Sequence, residues 1–98
     1  MNETVASAPR IVPGEWIDYN GHMNLAYYVM AFDQELDVFL DDNLGAGPDH
    51  SKPRNQGPFV LQSHVHYLNE LQEGDQFRCS FLLLDGDAKR LHVAGTMV

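Results

Sequence analysis

Asn24-Leu25-Ala26-Tyr27-Tyr28-Val29-Met30-Ala31-Phe32-Asp33-Gln34-Glu35-Leu36-Asp37-Val38-Phe39-Leu40 sets Leu25, Tyr28, Val29, Phe32, Leu36, Phe39 and Leu40 at three- and four-residue steps, as on one stripe of a helix. Asp33, Gln34, Asp37 and Asp41 fill the other side. Asn24 suits the N-cap, where a short side-chain oxygen accepts from an otherwise orphaned first-turn N–H. Gly45 fits the left-handed position that ends a helix near Asn43 or Leu44. The pattern predicts a helix of about five turns. Asp41 and Asp42 fall at its negative end, which costs a few tenths up to ~1 kcal/mol each, and the sequence gives no reason for them.

Upstream, residues 1–9 are small and polar and read as a loose tail. Arg10-Ile11-Val12 and Trp16-Ile17 read as short extended pieces broken by Pro13-Gly14. Downstream, residues 45–58 carry three prolines and three glycines and predict a loop. Phe59, Leu61, Val65 and Tyr67 then alternate with Gln62, His64 and His66, the period of a half-buried strand. Glu73-Gly74-Asp75 turns the chain into a strand over Gln76 to Leu84, and Asp85-Gly86-Asp87 turns it again into Arg90 to Val98. Two consecutive hairpins on one long helix define an α+β domain with an antiparallel sheet. The final strand, with Val93, Ala94, Met97 and Val98, is an edge that needs cover.

The chain's 98 residues suffice for one domain, 1–98, and not for two. An apolar share of 44% with 20% charged residues is that of a globular protein. No run approaches the ~18 apolar residues of a membrane span, and the N-terminus lacks a basic-then-apolar signal layout, so the expectation is a cytoplasmic protein without membrane contact. Six basic against fourteen acidic residues leave a net charge of −8, which argues against nucleic acid, because phosphate binding needs a basic field. An anionic ligand would have to meet local clusters, Lys52 with Arg54 or Lys89 with Arg90. The single Cys79 cannot form an internal disulfide and reads as a small core residue.

The densest polar cluster, Asp18-Tyr19-Asn20-Gly21-His22-Met23-Asn24, lies just before the long helix. In an extended segment Asp18, Asn20 and His22 would point to one side, with Ile17 and Tyr19 on the other, while Gly21 lets the chain bend into the cap. A carbonyl oxygen gaining negative charge there would meet the free N–H groups and positive dipole end of the helix. A carboxylate, an amide, an imidazole and an oxyanion donor in one loop suit hydrolysis. Asp, Asn and Gly are also ordinary turn formers, so the same residues are open to a structural reading.

Trp16-Ile17-Asp18-Tyr19-Asn20-Gly21-His22-Met23-Asn24-Leu25-Ala26-Tyr27-Tyr28 resembles the Asp-x-Asn-x-His-x-Asn signature of hotdog-fold thioesterases, among them the plant acyl-carrier-protein enzymes and relatives of hydroxybenzoyl-CoA thioesterase. Phe32-Asp33-Gln34, His66-Tyr67-Leu68 and Leu84-Asp85-Gly86-Asp87-Ala88-Lys89-Arg90-Leu91-His92 resemble the betainyl-CoA thioesterases of bacterial carnitine breakdown. The resemblance, from about Ile11 to Val98, implies a central helix wrapped by an antiparallel sheet and hydrolysis of a short acyl-CoA, with betainyl-CoA the specific expectation. It implies catalytic positions at Asp18, Asn20 and His22, an oxyanion donor in the Leu25 main-chain N–H, and Glu70 as acidic partner. In the hydroxybenzoyl-CoA branch the key carboxylate falls nearer Asn20, which is an amide here, so the division of labour between Asp18 and His22 stays open. Hotdog domains normally add a strand after the one ending at Val98, so the sequence reads as truncated; the family also implies a homodimer or a dimer of dimers.

No metal or redox cofactor is expected, since His64 and His66 on one strand have no third ligand placed by the sequence. Trp16, Tyr19, Tyr27 and Tyr28 offer aromatic faces for a trimethylammonium group, and Lys89 and Arg90 offer charge to CoA phosphates, although helix packing is the better reading of Tyr27 and Tyr28, and a solvated hairpin end that of Lys89 and Arg90. Two rivals remain: a hotdog hydratase or dehydratase, which usually carries Phe-Pro-Gly where this chain has Met23-Asn24, and a non-catalytic acyl-CoA-binding module.

Overall fold

The computed structural model describes residues 4–45, 47–51, 60–87 and 90–98. The helix forms as its period predicts: α1 runs Leu25–Phe39, with the Asn24 side chain accepting from the Ala26 N–H. The coil then widens into a π-helical turn over Leu40–Leu44 and stops at Gly45, whose left-handed backbone (φ 63°) turns its N–H back to the Leu40 carbonyl. Asn43 Nδ2 donates to the Phe39 carbonyl at 3.1 Å, satisfying another group the helix end leaves over. Asp41 also gains a reason. Its Oδ2 accepts from the Asp49 N–H at 3.2 Å, at the head of a short helical turn α2, Pro48–Ser51, inside the expected loop. Nothing in the structure accounts for Asp42.

The strands are β1 (Val5–Ala6), β2 (Arg10–Ile11), β3 (Gln76–Phe77), β4 (Cys79–Gly86) and β5 (Leu91–Met97). All pairings are antiparallel: β4 lies between β1 and β5, and β2 pairs with β3. The loose-tail expectation is corrected at Val5 and Ala6, which pair with Phe81 and Ser80. Ser7 extends that pairing, donating its N–H to the Cys79 carbonyl at 2.7 Å and accepting from the Cys79 N–H at 3.0 Å. Pro9 has no N–H to give a ladder, and there β1 hands over to β2. Opposite this break Arg78 turns to the other side, exchanging two backbone bonds with Val98 at 2.8 and 3.0 Å. The expected Trp16-Ile17 strand is a 3-10 turn, Gly14–Trp16, followed by a lone bridge at Ile17.

The second expected hairpin forms, with β4 and β5 in register from Cys79–Met97 to Gly86–Leu91 and a slip between Leu83 and Asp85. Its turn comes later than Asp85-Gly86-Asp87 suggests, because Gly86 pairs in the ladder and Asp87 donates to the Arg90 carbonyl at 2.9 Å. The first expected hairpin does not form among the described residues. Phe59 lies outside the described residues, and Val60 to Leu68 are exposed and join no ladder among the described residues. Alternation states which side chains would share a face, but it supplies no partner edge.

The core gathers Val12, Trp16, Met23, Ala31, Phe39, Leu40, Phe77, Cys79 and Phe81. Phe81 on β4 meets Phe39 at 5.4 Å and Phe32 edge-on at 6.2 Å, which seats α1 on the sheet. Arg10 adds a polar tie, with Nη1 3.3 Å from Glu35 Oε1 and its guanidinium over Trp16 and Phe77 at 5.4 and 5.7 Å. Cys79 is a core residue as expected; burial first, and the nearby Glu35 second, push its thiol up to about 11. Among the described residues no helix is long and apolar enough to cross a membrane.

Gly95 faces Phe81 across the β4–β5 ladder, and a Cβ there would stand 3.0 Å from Phe81 Cε1 and 3.3 Å from Phe32 Cε1. Gly95→Ala is therefore expected to lower stability by about 1–3 kcal/mol through overpacking. Urea unfolding of the two proteins measures it, and an unchanged midpoint would show that the ring moves aside freely.

Candidate active site

Ile17 and Met23 form an isolated antiparallel bridge, and the five residues between them close into a turn. The Asp18 carbonyl accepts from the Gly21 N–H at 3.0 Å, and the Asp18 N–H donates to the His22 carbonyl at 3.3 Å. Gly21 takes φ 83°, a value that side chains disfavour. The extended reading of this segment is thus corrected. Asp18, Asn20 and His22 line one cleft because a turn folds them together, not because they alternate. Tyr19 sits at the turn's tip, 96% exposed.

The turn is fixed from below. Met23 is buried and donates its N–H to the Leu71 carbonyl at 2.7 Å, while the Leu71 N–H donates to the Tyr28 hydroxyl at 2.8 Å. Asn24 donates its N–H to the Trp16 carbonyl at 2.9 Å. With Leu71 held at both backbone groups, its neighbour Glu70 comes opposite the turn. Glu70 Oε2 is 3.8 Å from His22 Nε2, an ion-pair distance once the imidazole is protonated, and His22 Nδ1 is 3.5 Å from the Met23 carbonyl.

Asp18 is engaged at both oxygens: Oδ1 accepts from the Asn20 N–H and Oδ2 from Asn24 Nδ2, each at 2.9 Å. Asn24 Oδ1 accepts from the Ala26 N–H at 2.9 Å, and the Asn24 carbonyl from the Tyr27 N–H at 3.0 Å. Of the first three helical N–H groups only that of Leu25 has no acceptor among the described residues, and Leu25 lines the cleft.

The cleft is open, about 450 Å³, with Tyr67, Leu68, Asn69 and Glu70 as its far wall. Tyr28 and Tyr67 pack edge to face at 5.4 Å, and the Tyr67 hydroxyl donates to the Leu25 carbonyl at 3.4 Å. Of the aromatic candidates, only Tyr28 lines the cleft. Trp16 is buried and stacked on Tyr27 at 5.2 Å, and the cation over its ring is Arg10. Arg90 is tied to Asp87 at 3.1 Å in the hairpin turn and does not line the cleft; Lys89, Lys52 and Arg54 lie outside the described residues. Sequence reasoning missed Tyr67 and Leu71, whose roles depend on contacts more than forty residues away in the chain. Asn24 was readable as a cap, but its bond to Asp18 was not. Among the described residues no three His, Cys, Asp or Glu side chains are grouped to hold a metal ion.

The family model described as the thioesterase-like superfamily matches residues 12–98. The betainyl-CoA thioesterase of Pseudomonas aeruginosa is 30% identical over 93 residues, 95% of this chain and 58% of that protein. An L-carnitine dehydrogenase/betainyl-CoA thioesterase of Ruegeria pomeroyi is 29% identical, covering 95% of this chain and 19% of that protein. Among solved structures, a hypothetical protein of Staphylococcus aureus in complex with CoA superposes with a TM-score of 0.86 at 30% identity, covering 99% of this chain and 60% of the other. A candidate thioesterase from Pseudomonas putida gives 0.79 at 30% identity, covering 98% and 62%. The chain thus spans about three fifths of the length of the Pseudomonas aeruginosa relative and of these two structures.

The bond from the Asn20 N–H, then that from Asn24, holds the Asp18 carboxyl below its usual 3.8. A folded-state value below the unfolded one stabilises the fold above the unfolded pKa, and the contribution is lost as pH falls through the folded one. Wild type is accordingly expected to melt above Asp18→Asn at neutral pH, with the gap in Tm closing below about pH 4. Melting curves from pH 7 to pH 2.5 measure it; a gap that stays constant would show that the Asp18 charge does not stabilise the loop.

Proposed function

The chain belongs to the thioesterase-like superfamily, with its hotdog fold, and from that premise we propose that it hydrolyses a short acyl-CoA in the cleft between the 17–24 turn and Glu70. The observation that carries this is the Leu25 N–H, unpartnered among the described residues, at the head of α1 and in the same cleft as His22. The thioester oxygen is bound there, where one N–H and the helix dipole stabilise the charge it gains. A water beside His22 Nε2 attacks the carbonyl carbon and gives its proton to the imidazole, and the Glu70 carboxylate faces the imidazolium that results. The tetrahedral intermediate then expels the CoA thiolate, which takes the proton back from His22. Asn20 orients the water and the acyl group from the turn. Asp18 is the weaker choice of base, because both its oxygens already accept hydrogen bonds, which lower its affinity for a proton. The reaction as proposed needs no metal or redox cofactor, and we place it in the cytoplasm and in a homodimer, as in the expectations drawn from the sequence.

His22→Ala is expected to lower kcat by at least ~100-fold and Glu70→Gln by about 10-fold, with the fold intact. Thiol release from a panel of acyl-CoAs measures both, and near-normal turnover by His22→Ala would sink the mechanism.

For the acyl group we propose betaine. The names of the Pseudomonas aeruginosa and Ruegeria pomeroyi relatives support it, as do the aromatic faces of Tyr28 and Tyr67 with the Glu70 carboxylate in one cleft. The pocket drawn from Trp16, Tyr19 and Tyr27 gives way to this pair. Each cation–π contact contributes about 0.5–2 kcal/mol, so two give betainyl-CoA an expected kcat/KM advantage of roughly 10-fold or more over butyryl-CoA. The comparison is made at fixed ionic strength, with Tyr67→Leu removing much of the advantage. Equal turnover of the two substrates would discard the betaine assignment and leave the thioesterase assignment standing.

A further inference from the structure

Asn24 Nδ2 donates to Asp18 Oδ2 while Asn24 Oδ1 accepts from the Ala26 N–H, both at 2.9 Å, and Asp18 Oδ1 accepts from the Asn20 N–H. From this chain of three bonds we propose that Asp18 and Asn24 are a pair of positioning residues that aim the head of α1 at the substrate, and that Asp18 is not the base. The proposal rests on the thioesterase reading and says how its oxyanion donor is held.

The chain of bonds runs one way only. A carboxylate accepts at both oxygens, so Asp18 can hold the Asn20 N–H with one and the Asn24 amide with the other. The Ala26 N–H can only donate, so the Asn24 oxygen must face it. With Ala26 satisfied by the side chain and Tyr27 by the carbonyl of the same residue, Asn24 occupies the neighbours of the Leu25 N–H and leaves that group to the cleft. Loss of the amide link frees the Asn24 side chain to rotate, and the first turn of α1 loses both its cap and its tie to the 17–24 turn. The donor then no longer points at a fixed place, and misplacement on this scale is costly in kcat rather than in binding.

The same logic specifies a test that separates position from proton transfer. In Asp18→Asn, the new amide sets a donor against a donor, at the Asn20 N–H or at Asn24 Nδ2; flipping Asn24 moves the conflict to the Ala26 N–H. In Asn24→Asp, two carboxylates face each other and Asp18 itself is untouched. The exchange Asp18→Asn with Asn24→Asp restores every bond: the oxygen at 18 accepts from the Asn20 N–H, its amide donates to the carboxylate at 24, and that carboxylate caps Ala26. An acidic N-cap also suits the helix dipole.

The four proteins are compared by kcat, KM and Tm. Each single variant is expected to lose about 10- to 100-fold in kcat with KM little changed, and the exchange to regain kcat to within about 3-fold of wild type, with Tm recovering in step. A base at position 18 predicts the opposite, because the exchange leaves no carboxylate there. An exchanged protein as slow as Asp18→Asn overturns the proposal, whether its Tm recovers or not. Absence of turnover in the wild type would instead remove the thioesterase reading; the pair is then read from Tm alone, where non-additive losses support it and additive losses overturn it.

Discussion

A carboxylate can only accept and a backbone N–H can only donate, so the Asn24 side-chain amide, caught between Asp18 and Ala26, has a single orientation. That constraint joins the two halves of the chemistry. On one side it fixes the carboxylate of the 17–24 turn, and on the other it ends the helix at Leu25 instead of letting the first turn fray. A cap contributes about 1 kcal/mol to a helix, which is small beside the burial of Phe81 or Phe77. Here its value lies in direction, because the cap decides which main-chain N–H of the first turn is left without an acceptor among the described residues.

A second constraint works at longer range. Leu71 accepts from Met23 and donates to Tyr28, so two residues on either side of the helix head are referred to one point far along the chain. Glu70 is brought to His22 by that clamp and by Tyr67, since the segment before it joins no ladder among the described residues. Met23 completes the arrangement from inside, because a side chain buried in the core cannot let the turn drift. The polar cleft is therefore positioned by two apolar residues, Met23 and Leu71.

The helix was legible because its period, its Asn24 cap and its Gly45 stop all agree, and each depends on neighbours within a few residues. The place of Asp18, Asn20 and His22 was legible too, although a turn and not an extended run gathers them. Bonds from Asp18 to Gly21 and His22 decide the matter, and turn formers are compatible with either geometry. What needs a distant partner was not legible. Val5 and Ala6 look like a tail until Ser80 and Phe81 offer an edge, and Val60 to Leu68 look like a strand although no edge meets them among the described residues. Asp41 made no sense as part of α1 and becomes intelligible as an acceptor for the next helical turn. The aromatic candidates divided by burial: nothing in the spacing of Trp16 and Tyr27 announced that they would stack on each other.

The two walls of the cleft differ in what holds them. The turn and helix head are fastened by backbone bonds to Trp16 and Leu71 and by a buried Met23, whereas Val60 to Leu68 are exposed and touch α1 through Tyr67. The free energy of local opening follows such ties, so amide hydrogens of the second wall are expected to exchange through small excursions that leave the core shut. One jaw is stiff and the other compliant. For the hydrolysis we propose, a jaw that yields would admit acyl groups over a range of sizes, so discrimination by bulk would be weak and selectivity would fall to the charge and aromatic character of what the acyl group presents.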